Sequence, residues 1–255
     1  MQNSISLSKY HYNDTLIHKM HPTSKIITSL IYILLVLIQN NLYITLSLTL
    51  LLVLMLYLSK INIKIILKTL NSTKYLMIFL LIINIINGFS LEIYTIYVLK
   101  LLLVMVEANI LITTTNLNDL NYGIYVLFLP LEKLFKVSAK KIAFSITLSL
   151  RFIPTLLNKG NKIIKAQTSR GVNFKTNNIK NKIYYLSSIL IPLIINTIKE
   201  ADEVADTMEL RMYDVDNFTI KPKKNNWDFM DYYFLTTHIT LLVMIMIRGV
   251  ILWNI

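Results

Sequence analysis

Residues Leu42–Leu58 read LYITLSLTLLLVLMLYL, a run without a charged side chain. A helix needs about 17 to 20 mostly apolar residues to cross the hydrocarbon core of a bilayer. Four other stretches share this apolar character: Ile26–Gln39, Tyr75–Phe89, Ile93–Ile112 and Tyr232–Trp253. The sequence therefore predicts an all-α polytopic membrane protein with about five transmembrane helices.

Two of these stretches, Ile26–Gln39 and Tyr75–Phe89, are short for a bilayer span. To cross the bilayer, each helix must include flanking residues or lie where the bilayer is thin. Asn40–Asn41, between the first two stretches, could mark a tight turn between two spans or a kink in one re-entrant hairpin. We favour two spans joined by a tight turn.

The overall composition argues against a water-soluble protein. Of the 255 residues, 55% are hydrophobic and 16% are charged, whereas about 25% are charged in an ordinary soluble domain. The formal net charge of +12 raises the question of a nucleic-acid partner. However, the basic residues are spread among apolar stretches and form no stripe with interleaved aromatic residues. We therefore expect the lipid bilayer, and no nucleic acid, as a partner.

The reactive residue types are scarce. The chain has no cysteine, which excludes disulfides, thiolate metal sites and a cysteine nucleophile. Its four histidines show no zinc-binding spacing. We therefore expect no metal site and no catalytic residue.

The charges of the loops predict the orientation, because Lys and Arg collect on the cytoplasmic side of a membrane. The turn at Asn40–Asn41 is uncharged, and the loop at Ser90–Glu92 carries only an acid. The N-terminal segment and the loop after the second stretch are basic, through Lys9, Lys19, Lys25, Lys60, Lys64, Lys68 and Lys74. We expect a multi-pass protein of the cell membrane with a cytoplasmic N-terminus and an external C-terminus.

The middle of the chain differs from both ends, because most of the charged residues lie there. Apolar residues recur at steps of three and four along two stretches, as in amphipathic helices. One stripe runs from Ile142 to Leu157 and the other from Leu190 to Met208. A third, shorter helix capped by Asn118 or Asp119 should end before Pro130. We predict a membrane domain at 1–113, a cytoplasmic helical domain at 114–231, and a final transmembrane helix at 232–255.

Two charged residues fall inside the fourth apolar stretch, where charge is costly and often functional. Lys100 and Glu107 would lie about 10 Å apart along a helix, too far for a direct bond without bending. Each could instead pair with another helix or extend to the interface. The sequence leaves the functional and the structural interpretation open.

An arginine stands where each long amphipathic helix loses its periodicity. A cation at a helix C-terminus complements the helix dipole by about 0.3–1 kcal/mol, so both arginines could be ordinary caps. The planar guanidinium can also hold a carboxylate by two parallel hydrogen bonds, which suits a partner contact. The two local patterns are Ser169-Arg170-Gly171 and Leu210-Arg211-Met212.

The ordered set of segments resembles the transmembrane (T) component of energy-coupling factor (ECF) transporters. Asp14–Lys25 is similar to the segment that precedes the first span in that family, and Leu58–Ile63 to the turn after the second span. Pro130–Lys133 and Leu150–Leu157 are similar to landmarks of its coupling domain. The resemblance covers nearly all of residues 10–215.

The resemblance implies a membrane helical domain with cytoplasmic coupling helices. In the family, an Ala-Arg-Gly motif closes each of two long helices and docks into a groove on one of two cytosolic ATPase subunits. By position, these motifs become Ser169-Arg170-Gly171 and Leu210-Arg211-Met212 here. The first keeps a small residue before its arginine. The second keeps only its arginine, which puts close backbone approach there in doubt.

The resemblance also implies a division of labour. A separate membrane subunit binds the small molecule, a vitamin or a metal ion, and the ATPases bind ATP. This chain lacks the Gly-Lys-Ser/Thr loop that cradles phosphates, so we expect no cofactor and no enzymatic activity. The alternatives are a stand-alone substrate-binding membrane protein or secondary transporter, and a membrane enzyme such as a lipid-modifying transferase.

Overall fold

The computed structural model describes residues 13–88, 90–135, 138–172, 179–215 and 226–253. Within these ranges the chain is helical and contains no β-strand, which confirms the all-α prediction. The helices are α1 (Leu16–Lys19), α2 (Pro22–Ile38), α3 (Leu42–Ser59), α4 (Ile63–Asn87), α5 (Leu91–Thr114), α6 (Leu117–Phe135), α7 (Ala139–Ser169), α8 (Ile179–Leu210) and α9 (Phe229–Trp253).

The chain divides into two compact units. The first comprises Met1–Leu127 and Lys221–Ile255, and the second comprises Phe128–Ile220. The C-terminal helix α9 belongs to the first unit, where it packs against α2. The division into membrane and cytoplasmic domains stays a prediction, because compactness does not reveal which part lies in the cytosol.

Four helices are long and apolar enough to cross a bilayer: Leu42–Ser59, Ile63–Asn87, Leu91–Thr114 and Phe229–Ile247. Helix α2 is also apolar but has only 17 residues. Helices suit this environment because they satisfy their own backbone hydrogen bonds. The protein is therefore a multi-pass membrane protein.

The turn between α2 and α3 separates two distinct helices. Asn41 has an extended backbone, and its side-chain oxygen accepts a hydrogen bond from the Tyr43 amide at 3.0 Å. This is an N-cap, which begins a new helix after the extended residues that follow α2. The arrangement agrees with a tight turn between two helices.

The core of the first unit lies around α2, which packs against α5 and α9. Tyr32 and Leu35 of α2 and Leu48 of α3 are almost fully buried. The Tyr32 hydroxyl donates a hydrogen bond to the Leu48 carbonyl at 2.9 Å, so this large side chain is buried without an unpaired polar group. Helix α5 also packs against α3 and α4.

The structure corrects both predicted ends of one helix. Helix α6 begins at Leu117, so Asn118 and Asp119 lie in its first turn and do not cap it. Helix α6 does not end before Pro130 but continues to Phe135. A proline removes its own bond to the carbonyl four residues earlier, here Val126, and its ring crowds that carbonyl, but the bonds on either side can carry the helix onward. Pro154 and Pro192 likewise lie inside α7 and α8.

Gly123 marks a close approach between α6 and α2. A β-carbon at this position would stand 2.2 Å from Ile26 Cδ1 and 3.6 Å from the Pro22 carbonyl oxygen. By contrast, a β-carbon at Gly160 would meet nothing within 4 Å. A side chain at Gly123 therefore fits only if Ile26 moves, and a large one would overpack this contact.

We predict that Gly123→Leu lowers stability by about 1–3 kcal/mol, because it overpacks the contact with Ile26. Gly160→Leu is the matched control and should be neutral or mildly stabilising, because leucine favours helix over glycine. The apparent melting temperatures of the two purified variants in detergent would test this. Equal melting temperatures would contradict the close approach.

Candidate functional site: two helix ends that carry arginine

Helices α7 and α8 have 31 and 32 residues and pack against each other in the second unit. As residue numbers rise along α7, the numbers of the residues that contact it in and after α8 fall, so the two helices are antiparallel. Three contacts show this: Gln167 Nε2 to the Ser188 carbonyl (3.5 Å), Lys159 Nζ to Glu200 Oε2 (2.6 Å), and the Phe144 ring to the Tyr213 ring (5.6 Å).

Helix α7 ends in a Schellman motif, a helix terminus closed by two backbone hydrogen bonds. The Val172 amide donates to the Gln167 carbonyl at 3.1 Å, and the Gly171 amide donates to the Thr168 carbonyl at 3.0 Å. Gly171 takes the required left-handed conformation with φ +87°. Arg170 is the C-cap residue that this closure holds in place.

Helix α8 ends in the same motif. The Tyr213 amide donates to the Met208 carbonyl at 2.9 Å, and the Met212 amide donates to the Glu209 carbonyl at 2.8 Å. Arg211 occupies the C-cap position, as Arg170 does in α7. The left-handed position, however, is taken by Met212 with φ +50°, although methionine carries a β-carbon.

All six predicted site residues lie on the surface of the second unit. Leu210 and Met212 are 84% and 92% exposed, so neither contributes to the packing of the helix pair. Among the described residues, neither Arg170 nor Arg211 forms an ion pair or a side-chain hydrogen bond. Both guanidinium groups are therefore free to bind a partner.

The antiparallel packing places the two arginines at opposite ends of the helix pair. Because Phe144 lies beside Tyr213, Arg211 stands at about the level of the third turn of α7. Arg170 stands at the far end of α7, about 24 residues and therefore about 36 Å away along the axis. The structure thus separates the two motifs instead of bringing them together.

The charges around the two ends differ. Lys162 and Lys165 of α7 and Lys180 and Lys182 of α8 are exposed near the Arg170 end. Near Arg211, the exposed charged residues of α8 are the acids Asp202, Glu203, Asp206 and Glu209, and the adjacent part of α7 adds the exposed cations Lys141 and Arg151. Not every acid of this region is solvated, because Glu200 pairs with Lys159. The two ends therefore present different electrostatic surfaces.

Lys100 and Glu107 lie in the other unit and do not pair with each other. The Lys100 ammonium donates to the Leu37 carbonyl at 3.1 Å and to Asn40 Oδ1 at 2.9 Å, and so it caps the end of α2. Glu107 accepts a hydrogen bond from the Ser29 hydroxyl at 2.7 Å. Both residues bind another element, which favours the structural interpretation for Lys100, whereas the second Glu107 oxygen, Oε2, is buried without a hydrogen-bond partner among the described residues.

The sequence analysis missed two buried charged residues that organise the first unit. Lys25 donates to the carbonyls of His18 and Thr114, at 3.1 and 3.0 Å. Asp231 is fully buried and accepts from the His21 amide at 2.7 Å. Both residues lie at the edge of an apolar stretch, and this position could have identified them as candidates in the sequence. In the described ranges, no three His, Asp or Glu side chains cluster as a metal site would require.

We predict that Met212→Gly stabilises the end of α8 by about 1 kcal/mol, because glycine adopts positive φ without steric cost. Met212→Ala is the control, since it removes the exposed side chain but keeps the β-carbon. Hydrogen exchange of the Met212 and Tyr213 backbone amides should slow about fivefold in the glycine variant only. Equal slowing in both variants would show that backbone strain is not the cause.

The family model of CbiQ, described as a cobalt transport protein, matches residues 13–220. Similar proteins named energy-coupling factor transporter transmembrane protein EcfT align with most of the chain. That of Ruminiclostridium cellulolyticum is 32% identical over 228 residues, which cover 84% of this chain and 85% of the relative. That of Bacillus subtilis is 26% identical over 243 residues, covering 89% and 91%. That of Lactococcus lactis subsp. cremoris is 29% identical over 270 residues, covering 100% and 99%.

The family match includes α2 to α5 and both helix ends that carry arginine. The relatives align along nearly the full length of the chain, and their lengths are similar to its own. The resemblance noted in the sequence is therefore confirmed. The chain belongs to the family of transmembrane (T) components of energy-coupling factor transporters.

Proposed function

We propose that this chain couples two cytosolic ATPase subunits to a membrane subunit that binds a small molecule, a vitamin or a metal ion. In this proposal, Arg170 docks into one ATPase and Arg211 into the other. One observation carries the proposal: both arginines occupy the same position of the same closed helix end. Each is exposed and has no partner among the described residues.

The geometry of the helix ends suits the transmission of movement. Two backbone hydrogen bonds hold each C-cap, so the arginine is attached to a rigid element and not to a loop. The planar guanidinium can bind a carboxylate through two parallel hydrogen bonds, which resist rotation. A movement of the bound ATPase would therefore pull the whole helix, as in rigid-body coupling.

The separation of the arginines supports two docking points. About 36 Å along the helix axis is too far for both to enter one small groove. The surroundings of Arg170 are basic, whereas those of Arg211 combine the acids of α8 with Lys141 and Arg151 of α7. Complementary charge around a docking site selects its partner. We infer that the two ATPase grooves differ in the charge of their rims.

The remaining tasks of the transporter fall to other subunits in this proposal. ATP binds to the ATPases, since this chain carries no phosphate-binding loop, and the chain needs no cofactor and catalyses no reaction. A stand-alone transporter would place free polar groups at mid-membrane. Here Lys100 is bound at the end of α2, but Glu107 Oε2 and His238 Nε2 are buried without a hydrogen-bond partner among the described residues. Ligand binding by the chain purified alone would support that alternative.

We predict that Arg170→Ala and Arg211→Ala each weaken binding of the ATPase pair by about 2–5 kcal/mol, because a charged partner is left unpaired at the interface. The double variant should lose ATP-driven uptake. Arg170→Ala should have the larger effect, since Ser169 and Gly171 permit closer docking than Leu210 and Met212. Co-purification of the ATPases and uptake into vesicles would measure both effects.

Two further variants make the arginine test specific. Lys199→Ala removes an exposed charge from the middle of α8, away from both arginines, and it should retain the ATPases. Arg170→Lys should recover only part of the binding, because lysine cannot form the two parallel bonds. If the double arginine variant binds the ATPases and supports uptake normally, the two arginines serve only as helix caps and the docking proposal is wrong.

The proposed orientation in the cell membrane, with a cytoplasmic N-terminus, has a separate test. Because the chain has no cysteine, single introduced cysteines report cleanly. We predict that cysteines replacing Lys64 and Ser169 resist an impermeant thiol reagent added outside. A cysteine near Asn254, which lies outside the described residues, should react. Labelling at position 64 from outside would show that the orientation is the opposite of the one proposed.

A further inference from the structure

A groove of about 710 Å³ opens in the first unit where α1, the end of α3 and the start of α4 meet. Its volume lies within the range of about 300–1,000 Å³ that is typical of small-molecule sites. The walls are mainly apolar and include Leu16, Val53 and Ile63, which are 44%, 60% and 69% exposed. The groove is therefore open and suited to an apolar chain.

A second, more polar cavity of about 500 Å³ adjoins the groove. Lys60 and Ile61 line both spaces, so the groove and the cavity lie side by side. The polar cavity is also lined by His18 and Asn62. An apolar groove joined to a polar cavity matches an amphiphile with a hydrocarbon tail and a polar head.

The charge at the groove favours an anionic head. Lys19 and Lys60 line the groove and are exposed, and the acid that lines it with them is Asp14. Lys19 Nζ lies 3.9 Å from Asp14 Oδ1, and both side chains are well exposed, so this contact is weak. The lysines leave the groove with a net positive charge.

The walls of the groove are held by the protein itself. Helix α1 packs against α3, and Ile17 of α1 is buried in the core. The Lys25 ammonium also binds the His18 carbonyl and thereby fixes the end of α1. A lipid beside a single helix would contact one face only, whereas this groove has walls from three helices.

We propose that this groove binds one anionic phospholipid from the leaflet that faces the α3–α4 turn. An acyl chain lies along Leu16, Val53 and Ile63, and the phosphate contacts Lys19 and Lys60. If the proposed orientation holds, this is the cytoplasmic leaflet, but the site itself depends only on the first unit. The lipid would connect α1 to α4 and stiffen the turn between α3 and α4.

Native mass spectrometry of the full-length purified chain would test the proposal with palmitoyl-oleoyl phosphatidylglycerol and the matching phosphatidylcholine as probes. We expect one phosphatidylglycerol to be retained in preference to phosphatidylcholine. Lys19→Gln with Lys60→Gln should weaken that retention about 25-fold, or about fivefold per lysine. Lys64→Gln with Lys68→Gln removes equal charge outside the groove and should leave retention unchanged.

Two single variants probe the groove without removing its cations. Asp14→Asn should strengthen retention of phosphatidylglycerol, because it removes the competing carboxylate beside Lys19. Val53→Trp should weaken retention, because it narrows the apolar groove while both ammonium groups remain. Far-ultraviolet circular dichroism would establish that every variant keeps its helical content.

Several results would overturn the proposal. Equal retention of the two lipids would remove the specific site, and equal loss in the Lys64/Lys68 control would show only general attraction to basic residues. Displacement of phosphatidylglycerol by inorganic phosphate would assign the cavity to a free anion. Selectivity that arises only after deletion of residues 2–12 would assign the groove to the chain's own N-terminal segment.

Discussion

The first unit depends on one kind of interaction: buried charged side chains bind backbone groups at the ends of other helices. Lys25 bridges the end of α1 and the end of α5, and Asp231 joins the start of α9 to the start of α2. Lys100 caps the far end of α2 from α5. Breaking one such contact would leave a buried charge unpaired, which costs several kcal/mol. These contacts fix both ends of α2, the 17-residue helix at the centre of the unit.

The second unit differs from the first because its helices leave a large apolar surface exposed. Along α8, Ile183, Leu190, Ile191 and Ile194 are each more than half exposed. Soluble monomers rarely leave apolar patches of this kind uncovered, so the surface indicates contact with lipid or a partner subunit. The proposed coupling role uses the same feature, since a helix pair with free faces and closed, charged ends can bind partners along its length and at both tips.

Much of this protein could be predicted from local sequence. A run such as Leu42–Leu58 can satisfy its backbone only as a helix, and apolar residues at steps of three and four mark the amphipathic helices. The two arginines could be located at the helix ends because periodicity fades there. Pro130 misled this reasoning: local preference ends a helix at proline, but the chain continues it to Phe135.

The sequence by itself determined the helical class, the apolar stretches and the positions of both arginines, because each depends on neighbouring residues. Only the tertiary structure decided which residues meet across the chain. Lys25, Asp231 and Lys100 find partners far away in sequence, and those distances follow from packing. The antiparallel pairing of α7 and α8 likewise sets the two arginines at opposite ends. The structure also shows that Met212, like Gly171, has a positive φ angle, which the local preference of methionine would not predict.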